Sequence, residues 1–437
     1  MSHTLNRRSL LAGAAALASA RFASATPAAA QAAPILIGQS LPLSGPVAPA
    51  LAPIVQGQNL ALEQLNRKGG IHGRPVQLVQ LDDAYDPRRT VENVHTLIER
   101  DKVVALTGLA STPGVAAVLP LVAERKVPLF GVYTGSHLLR LAPNPYFYTT
   151  TATYVDEVNE CVRHLLTLKR ERIAVVWQNN EFGKLMLPLA EKAIKDQGGT
   201  LIAAVPVAVD ASDALAAAAA VNAKQPQAVL MLSIAGPAVV GYVKAQRAMG
   251  AAPIYTISTA LGALPALGDE ARGVAVTQIV PYWRQTDPLA REYMAETERA
   301  KQTPSYGHYG AYLMFRMLFE GLRRAGPVVT PQTVNRGIEG IRQMKVATGD
   351  ISFSPTNHHP GRFVEMTIVG PRGPAQAVAE LPAPALSRGG RVARSCGSRG
   401  PRTRPSAASA RPTRAAVARG RGWRARDRGT TPCRAPP

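Results

Sequence analysis

Residues 35–45 read Ile-Leu-Ile-Gly-Gln-Ser-Leu-Pro-Leu-Ser-Gly, and this stretch sets the pattern for much of the chain. The apolar run at 35–40 indicates a buried strand, and the proline, serine and glycine after it indicate a loop. A helical pattern follows over 50–68 and ends at the glycine pair 69–70. A strand joined by a short loop to a helix is the unit of an α/β protein, so the stretch predicts that class.

The same alternation continues on the carboxyl side of this stretch. Strands are predicted over 76–82, 103–107, 128–131 and 146–150, with helices over 86–100 and 113–125. A second block predicts strands over 172–178, 201–207, 228–232, 254–257 and 274–279, with helices over 156–168, 182–197, 210–224 and 237–249. Short joints between alternating elements favour parallel sheets. A folded part of about 350 residues exceeds the usual size of one core, so we expect two lobes.

The pattern changes after residue 286. Three helices are predicted in succession, over 287–301, 306–324 and 331–342, and then a β pair of 350–353 with 363–369. We expect the helices to return to the first lobe and the last strands to the second. The first lobe would then comprise 33–149 and 282–342, and the second 150–281 and 343–383. Several chain crossings of this kind make a hinge with a cleft.

The first 32 residues have the order of an export signal. A charged segment with Arg7 and Arg8 precedes an apolar run over 10–20, and Ala30-Gln31-Ala32 has the small residues of a cleavage site. The run is shorter than the roughly 20 residues of a membrane-spanning helix. The arginine pair resembles a twin-arginine (Tat) signal, with Sec export as the open alternative. We therefore expect a soluble, periplasmic protein; an alanine-rich N-terminus without a signal is the other interpretation.

The positive charge of the chain is concentrated at its ends. Residues 387–437 have fourteen Arg, no Lys and a single acid, Asp427, for a net charge of +13. Removing this charge and the three Arg of 1–32 from the total of +21 leaves +5, so we expect no nucleic-acid partner. The 387–437 segment lacks hydrophobic periodicity and is expected to be disordered. Its composition is typical of a frameshift after about Pro384; an Arg-rich arm for nucleic acid or anionic lipid is the alternative.

Familiar catalytic and metal-binding motifs are missing. The sequence has no G-x-S-x-G, G-x-x-x-x-G-K-[ST] or H-E-x-x-H, and no G-x-G-x-x-G follows the first strand. His358-His359 has no third ligand nearby and is interpreted as a solvated turn. Cys161 is expected to be a buried thiol, and with Cys396 and Cys433 it forms neither a disulfide framework nor a metal spacing. We expect no metal, no cofactor and no enzymatic activity; an enzyme of similar architecture would need an acid–base or nucleophile cluster in the cleft.

Hydroxyl groups follow three of the predicted strands. They lie at Ser44-Gly45, at 110–113 (Ala-Ser-Thr-Pro) and at 133–136 (Tyr-Thr-Gly-Ser). Ligands of open α/β sheets bind at the carboxyl ends of strands, where helix N-termini offer free N–H groups to carboxylates. Each segment alone is also explained as an N-cap, which stabilises a helix by about 1 kcal/mol without a ligand. Together they favour a ligand-binding shelf.

Several segments resemble the periplasmic branched-chain amino acid-binding protein family, the type I solute-binding receptors of ABC importers. The matching segments are 37–45, the Asn-Arg-Lys-Gly-Gly-Ile-His-Gly-Arg run at 66–74, Asp82-Asp83, 178–183 and 307–312. The similarity covers about 35–370, and the 66–74 run is its most specific part. The resemblance implies an α/β, type I periplasmic binding fold, with two parallel-sheet lobes joined by a multi-crossing hinge.

The resemblance also implies roles for single residues. The loop with Ala110, Ser111 and Thr112 resembles the one that grips the ligand carboxylate, and Thr134 resembles the hydroxyl that contacts carboxylate and amino group. Phe182 falls where many relatives have an aromatic that closes the cleft. Tyr85 falls near the cleft mouth, and Tyr154 and the Ile234-Ala235-Gly236 turn fall on the second lobe's cleft edge.

One loop departs from the family pattern. Amino acid binders place a carboxylate after the strand that matches 254–257, but here residues 258–265 read Ser-Thr-Ala-Leu-Gly-Ala-Leu-Pro, and the next acid is Asp269. A buried ammonium without an anionic partner is costly. We therefore hypothesise a small carboxylate or amide without a free α-ammonium, aromatic or branched, unless Asp156 or Glu181 supplies the charge. The candidate ligand-binding residues are Ser44, Tyr85, Ala110, Ser111, Thr112, Tyr133, Thr134, Tyr154, Phe182, Ile234, Ala235, Ser258 and Thr259.

The function that the resemblance implies is periplasmic solute binding for an ABC importer. A small-molecule ligand enters the cleft, the lobes close, and an inner-membrane permease recognises the closed form. The protein is expected to act as a monomer. A ligand-sensing receptor that signals to a partner protein, rather than to a permease, is the alternative.

Overall fold

The computed structural model describes residues 33–370, except 46, 285–286 and 347–348, and the strand at 378–380. The expected export signal at 1–32 and the Arg-rich segment at 387–437, with Cys396 and Cys433, lie outside the described residues. Among the described helices, none combines the length and hydrophobicity that crossing a bilayer requires.

The first part of the chain forms a parallel five-stranded sheet. Its strands are β1 (Ile35–Leu41), β2 (Val76–Asp82), β3 (Ala105–Leu109), β4 (Leu129–Val132) and β5 (Phe147–Tyr148), in the order β2-β1-β3-β4-β5. Helices α1 (Ala48–Arg67), α2 (Pro87–Glu99) and α3 (Thr112–Arg125) connect the first four strands, and a 3₁₀ helix (His137–Arg140) precedes β5. Strands β3 and β4 are buried throughout, as expected of parallel strands covered on both faces.

A second sheet follows, in the order β14-β13-β10-β9-β8-β6-β7. Its strands are β6 (Arg172–Gln178), β7 (Thr200–Val207), β8 (Ala228–Leu232), β9 (Ile254–Thr256), β10 (Ala275–Gln278), β13 (Glu365–Val369) and β14 (Val378–Glu380). Strands β6 to β10 are parallel, and β13 and β14 add antiparallel pairs at one edge. The helices are α4 (Tyr154–Thr167), α5 (Glu181–Asp196), α6 (Ala214–Asn222) and α7 (Pro237–Met249), with a kinked 3₁₀ segment at Ser258–Ala271.

Polar residues at the strand ends begin several helices. Asp86 caps α2 by accepting from the Arg88 N–H, and Thr153 forms a capping box with Asp156 at the start of α4. Asn180 caps α5 through the Gly183 N–H at 3.0 Å. Such caps satisfy N–H groups that have no partner inside the helix. They start the helices within a few residues of the carboxyl ends of the strands.

Three helices follow the second sheet: α8 (Pro288–Arg299), α9 (Tyr306–Arg324) and α10 (Pro331–Glu339). Helix α9 packs along α1, and its aromatic side chains Tyr309, Tyr312 and Phe315 belong to the same buried cluster as Ile35 and Ile37 of β1. The three helices therefore share a core with the first sheet.

The expected pairing of 350–353 with 363–369 is wrong. Strand β12 (Gly349–Ile351) pairs with β11 (Met344–Val346), whereas β13 pairs with β10 and β14. The reason is the burial of Phe353, whose ring lies 5.6 Å from that of Phe130 and 5.9 Å from that of Tyr148. This contact holds the β11–β12 hairpin in the core of the first sheet, and β13 takes the free edge of β10.

Within the described residues, the chain crosses between the two sheets in three places. These are the segments after β5, after β10 and after β12. The first and third contact each other: the Thr149 N–H donates to the His358 carbonyl at 3.0 Å. The segments therefore lie side by side at the junction of the two sheets.

Candidate ligand-binding site

The loops after β3 and β4 bring two predicted hydroxyls together. The Oγ1 atoms of Thr112 and Thr134 are 2.6 Å apart, and the Thr134 oxygen also accepts from the Ser136 N–H at 3.3 Å. Thr134 is almost fully buried. Because β3 and β4 are neighbouring parallel strands, the loops at their carboxyl ends meet at one edge of the sheet. Two hydroxyls at such an edge can donate to an anionic ligand.

Ser111 has a structural role in the same loop. Its hydroxyl accepts from the Gly114 N–H at 2.9 Å and caps α3. The capping alternative therefore holds for the Ser111 side chain, whereas Thr112 is placed beside Thr134. Ala110, the preceding residue, is partly exposed at the end of β3.

Tyr133 connects the β4 loop to α1. Its hydroxyl accepts from the Gln58 Nε2 at 2.8 Å, and its ring lies against Gly108 at the end of β3. Burial raises the pKa of the Tyr133 phenol well above its ordinary value. The phenol therefore stays protonated, and its proton is available to a further acceptor.

Ser44 is held by an acid of the neighbouring strand. The Ser44 hydroxyl donates to Oδ2 of Asp82 at 2.5 Å, and the N–H groups of Leu43 and Ala84 donate to Oδ1. The Ser44 side chain is the largest of the influences that hold the Asp82 pKa at about 2. The hydroxyl that we expected to face a ligand is thus committed to Asp82.

Tyr85 lies in a strained turn after β2. Ala84 and Tyr85 have φ values of 47° and 66°, in the left-handed region that non-glycine residues rarely adopt. Asp83 holds the turn: one carboxylate oxygen accepts from the Tyr85 N–H at 2.9 Å and the other from the Ser40 hydroxyl at 2.8 Å. Strain of this kind at an exposed aromatic is typical of functional sites.

Tyr154 joins the two sheets at this edge. Burial raises its pKa to about 12, while hydrogen bonds to Gly135 and Thr134 act to lower it. Its backbone N–H donates to the Gly135 carbonyl at 2.8 Å. Its ring packs edge-on against Phe182 at 5.5 Å. A tyrosine of the second sheet's first helix therefore touches the Thr134 loop of the first sheet.

The remaining predicted residues lie on two adjoining loops of the second sheet. The Ala235 N–H donates to the Thr259 carbonyl at 2.9 Å, and the Thr259 hydroxyl donates to the Ser233 carbonyl at 2.7 Å. The Ile234 N–H donates to the Gln178 side chain at 3.1 Å. These bonds fix the loops after β8 and β9 to each other.

The structure reveals a carboxyl group that we did not expect in the site. Glu157 on α4 is fully buried, and its Oε2 accepts from the Ser258 N–H at 2.9 Å and from the Thr277 hydroxyl at 2.7 Å. Its Oε1 is buried and, among the described residues, has no hydrogen-bond partner. Burial raises the Glu157 pKa to about 7, against the lowering effect of Ser258 and Thr277. An acid therefore contacts the loop that lacks one in its own sequence.

Sequence reasoning named two other acids for this role, and both have partners elsewhere. Asp156 accepts from the Thr153 N–H and hydroxyl at 2.7 Å in the α4 capping box. Glu181 is largely exposed and pairs with Lys184 at 2.7 Å. The sequence contains a feature that could have identified Glu157. This acid lies one turn after Tyr154, on the face of α4 that also carries Val158 and Cys161. An acid on an apolar helix face requires an explanation.

The interpretation of His358-His359 as a solvated turn is wrong. His358 is buried, with its ring 4.3 Å from that of Tyr148, and the His359 ring lies 5.3 Å from that of Phe147. The Thr149 hydroxyl and the His359 Nδ1 are hydrogen-bonded at 3.0 Å. The two rings therefore cover β5. Among the described residues, no group of His, Cys, Asp or Glu could hold a metal ion.

Two cavities of the described residues lie apart from the candidate ligand-binding residues. One of about 410 Å³ is lined by Asp156, Asn159, Glu160, Arg163, Gln197, Arg362 and Val364, and one of about 20 Å³ lies beside the crossing at Ile279. Neither is lined by a candidate ligand-binding residue. Thr112, Thr134, Tyr154 and Phe182 instead converge through direct contacts near the strand ends.

Known proteins resemble this chain over its described part. The sequence profile of a family described as periplasmic binding protein matches residues 34–371. Among curated relatives, Leu/Ile/Val-binding protein homolog 6 of Brucella melitensis is 23% identical over 322 residues, covering 68% of this chain and 81% of the relative. Homolog 3 of the same organism is 28% identical over 180 residues, which cover 38% of this chain and about half (46%) of that relative.

Solved structures share the fold. A possible leucine/isoleucine/valine-binding protein from Rhodopirellula baltica has a TM-score of 0.72 at 24% identity, covering 82% of this chain and 98% of that one. A branched chain amino acid ABC transporter from Thermus thermophilus with bound valine has 0.71 at 19%, covering 78% and 94%. An R. palustris solute binding protein in complex with 4-hydroxybenzoate has 0.69 at 20%, covering 79% and 96%. The chain belongs to the periplasmic binding protein family and has its type I fold, and the family is one of solute-binding proteins rather than of enzymes.

Proposed function

We propose that this protein is the periplasmic solute-binding component of an ABC importer. It captures a small ligand that contains a carboxylate or an amide, a branched-chain amino acid-like molecule or an aromatic acid. The observation that carries the proposal is the Thr112–Thr134 hydroxyl pair at 2.6 Å, with the Tyr154 ring packed against the adjacent Gly135. These groups come from both sheets and meet where ligands of α/β proteins bind.

The chemistry of these groups suits an anionic oxygen. With a pKa of about 12, the Tyr154 phenol keeps its proton at neutral pH and can donate it. The Thr112 and Thr134 hydroxyls share one hydrogen bond, so one of them has a proton free for a ligand. Hydrogen bonds to a charged group are stronger than neutral ones, which favours a carboxylate over a plain hydroxyl.

The ligand would be enclosed by movement of two lobes. We assign 33–149 and 282–342 to the first lobe, together with the β11–β12 hairpin, whose Phe353 packs in the core of the first sheet. The second lobe comprises 150–281 with strands β13 and β14. The Phe182 ring against Tyr154 supports a role in closing the second lobe over the ligand. Closure is a population shift, driven by contacts made only in the closed state. A monomer in the closed form would be the species that an inner-membrane permease recognises.

Ligand capture is tested by thermal unfolding of the full chain with a panel of compounds. Leucine, valine, 4-hydroxybenzoate, dicarboxylates and amides are each added at millimolar concentration. A ligand at about 100 times its dissociation constant adds roughly 2.7 kcal/mol of stability. This should raise the melting temperature by several degrees. A shift confined to one chemical class supports the proposal, and no shift with any compound contradicts it.

The transport role is tested separately in cells. Deleting the gene should abolish high-affinity uptake of the radiolabelled ligand that the panel identifies. A plasmid copy should restore the uptake, and a copy with Thr134→Val should not. Unchanged uptake together with a lost transcriptional response to the ligand would contradict the importer role and favour the sensing receptor.

A further inference from the structure

The buried carboxyl group of Glu157 has one satisfied and one unsatisfied oxygen. Two donors, the Ser258 N–H and the Thr277 hydroxyl, converge on Oε2, whereas Oε1 has no partner among the described residues. A buried polar atom without a partner is rare in native proteins and calls for an explanation. The unpaired oxygen belongs to a carboxyl group that contacts Ser258 in the loop after β9, and Glu157 lies on the same helix as Tyr154.

The groups around Glu157 offer it no counter-charge. On its own helix, Tyr154, Asp156 and Cys161 interact with it electrostatically, and Tyr306 does so from the start of α9. Each of these four is neutral or negative. Among the described residues, Glu157 forms no ion pair. Burying a carboxylate without a neighbouring cation is energetically unfavourable. A positively charged group of a ligand would therefore stabilise the ionised form of Glu157.

Tyr306 shows that Glu157 lies at the junction of the sheets rather than deep in one of them. The Ile279 N–H donates to the Tyr306 hydroxyl at 2.9 Å, at the point where the chain leaves β10. Tyr306 begins α9, which packs in the core of the first sheet. Burial and the Glu157 carboxyl group both raise the pKa of Tyr306 above its ordinary value. Parts of both sheets therefore surround Glu157.

We propose that Glu157 is a specificity-determining residue whose Oε1 accepts a hydrogen bond from an ammonium or amide N–H of the ligand. This inference rests on the proposed function, whose hydroxyl pair would hold the carboxylate of the same ligand. It also removes the reason for expecting a ligand without an α-ammonium, since that expectation considered only acids in the loop itself, Asp156 and Glu181. Glu157 lies on α4, and its carboxyl group contacts the loop after β9 through the Ser258 N–H.

The arrangement favours an accepting rather than a donating role for the carboxyl group. Both donors already stabilise the ionised form through Oε2. If the group were protonated, the proton would lie on Oε1 and would itself lack a partner. A ligand N–H that donates to Oε1 would give the ionised carboxylate the hydrogen bond that it lacks. A pKa of about 7 means that ligand binding near neutral pH is coupled to release of a proton from Glu157.

The test uses pairs of compounds that differ only in the amino group. Valine is compared with 3-methylbutanoate, leucine with 4-methylpentanoate and phenylalanine with 3-phenylpropanoate, by calorimetric titration of the full chain. We expect the amine of the skeleton that binds to do so at least tenfold more tightly. Glu157→Gln keeps the size and an acceptor for Ser258, and it should reduce that preference to threefold or less. Glu160→Gln, on the same helix in a pair with Arg163, is the control and should leave the preference unchanged.

The pH dependence is a second readout that does not require the variant to fold. For the wild-type protein, the affinity for the amine should rise from pH 6 to about pH 8 and then level off, because Glu157, with a pKa of about 7, must be ionised. The neighbours Tyr154, Cys161 and Tyr306 have pKa values raised above this window and do not titrate in it. The affinity of the compound without the amino group should change little.

The outcomes separate this inference from the function on which it rests. Equal or tighter binding of the compounds without an amino group would overturn the role of Glu157 and leave solute binding intact. So would an unchanged preference in a folded Glu157→Gln protein, or a flat pH profile for the amine. If no member of any pair bound, both the inference and the proposed ligand class would be overturned.

Discussion

Gly135 and Tyr154 are in such close contact that a side chain at Gly135 would occupy the place of the Tyr154 ring. A Cβ atom on Gly135 would lie 2.7 Å from the Tyr154 Cδ1 and 2.8 Å from its Cε1. Glycine at 135 therefore lets the aromatic ring of α4 rest on the β4 loop. This contact places Tyr154 beside the loop that carries Thr134.

Gly135→Ala should displace the Tyr154 ring and weaken ligand binding. We expect a loss of stability of about 1–3 kcal/mol, typical of overpacking, and a dissociation constant at least tenfold higher. Denaturant unfolding and calorimetry with the identified ligand measure the two effects. Gly340→Ala is the control: its φ is −79° and it lies at the end of α10, away from the site, so the dissociation constant should not change. Normal affinity in Gly135→Ala would contradict the placement of Tyr154 in the site.

Thr134→Val removes a hydroxyl and keeps the shape of the side chain. The Thr134 hydroxyl is hydrogen-bonded to that of Thr112 at 2.6 Å and accepts from the Ser136 N–H at 3.3 Å. Loss of a hydrogen bond to a charged ligand costs about 1.5–3 kcal/mol, so the dissociation constant should rise about 10- to 100-fold. Thr259→Val is the comparison, since that hydroxyl donates to the Ser233 carbonyl. A larger effect on affinity for Thr259 than for Thr134 would place the ligand on the other sheet.

Cys161 should be unreactive in the folded protein. It is fully buried, and burial raises its thiol pKa well above the ordinary value. The thiolate is the reactive form, so alkylation should be slow under native conditions and fast in denaturant. The experiment uses a Cys396→Ser/Cys433→Ser double variant, so that a single thiol is read by mass spectrometry. Rapid native labelling would show that the α4 core opens far more easily than its burial indicates.

Acid should destabilise the protein through His308. Burial lowers the His308 pKa from its ordinary 6.5 to about 4, and its ring nitrogens bond Tyr293 at 2.8 Å and Gln302 at 2.9 Å. A depressed pKa means that the folded state holds fewer protons than the unfolded state. The contribution of His308 is therefore complete above pH 6.5 and is lost as the pH falls through about 4. Melting temperatures at each pH measure the effect.

The variant His308→Gln isolates this contribution. It should melt at a lower temperature than the wild-type protein at pH 7.5, and the difference should shrink as the pH falls to 4.5. Glu157 works in the opposite direction, because its raised pKa gives stability that is present below pH 4.5 and lost as the pH rises through about 7. Proteins are therefore compared at equal pH. A difference in melting temperature between the wild-type protein and His308→Gln that stayed the same at all pH values would contradict the pH-dependent contribution of His308.

Local patterns were enough to predict the α/β class and most elements. The helix predicted over 306–324 is α9, and the strands predicted over 76–82, 172–178 and 228–232 are β2, β6 and β8. These segments have strong periodicity and clear turn residues at their ends. The family resemblance, of which the 66–74 run is one part, is confirmed at the level of the periplasmic binding protein family, whose profile matches residues 34–371.

Long-range packing decided what the sequence could not show. The β12 strand pairs within its hairpin because Phe353 packs on Phe130, more than 200 residues earlier in the chain. His358 is buried against Tyr148 for the same reason, although its local sequence is that of a polar turn. Glu157 was missed because only the fold brings α4 to the loop after β9. A site built from several loops exists only after the sheets have placed them.

The central claim is that the strand-end hydroxyls hold a ligand, and a calorimetric titration of the full chain tests it most directly. The ligand class identified by thermal unfolding is titrated into the wild-type protein and into Thr134→Val. We predict one ligand per chain, and a dissociation constant in the variant that is about 10- to 100-fold higher with an unchanged fold. Equal affinity in the two proteins, or no heat of binding with any compound, would contradict the account.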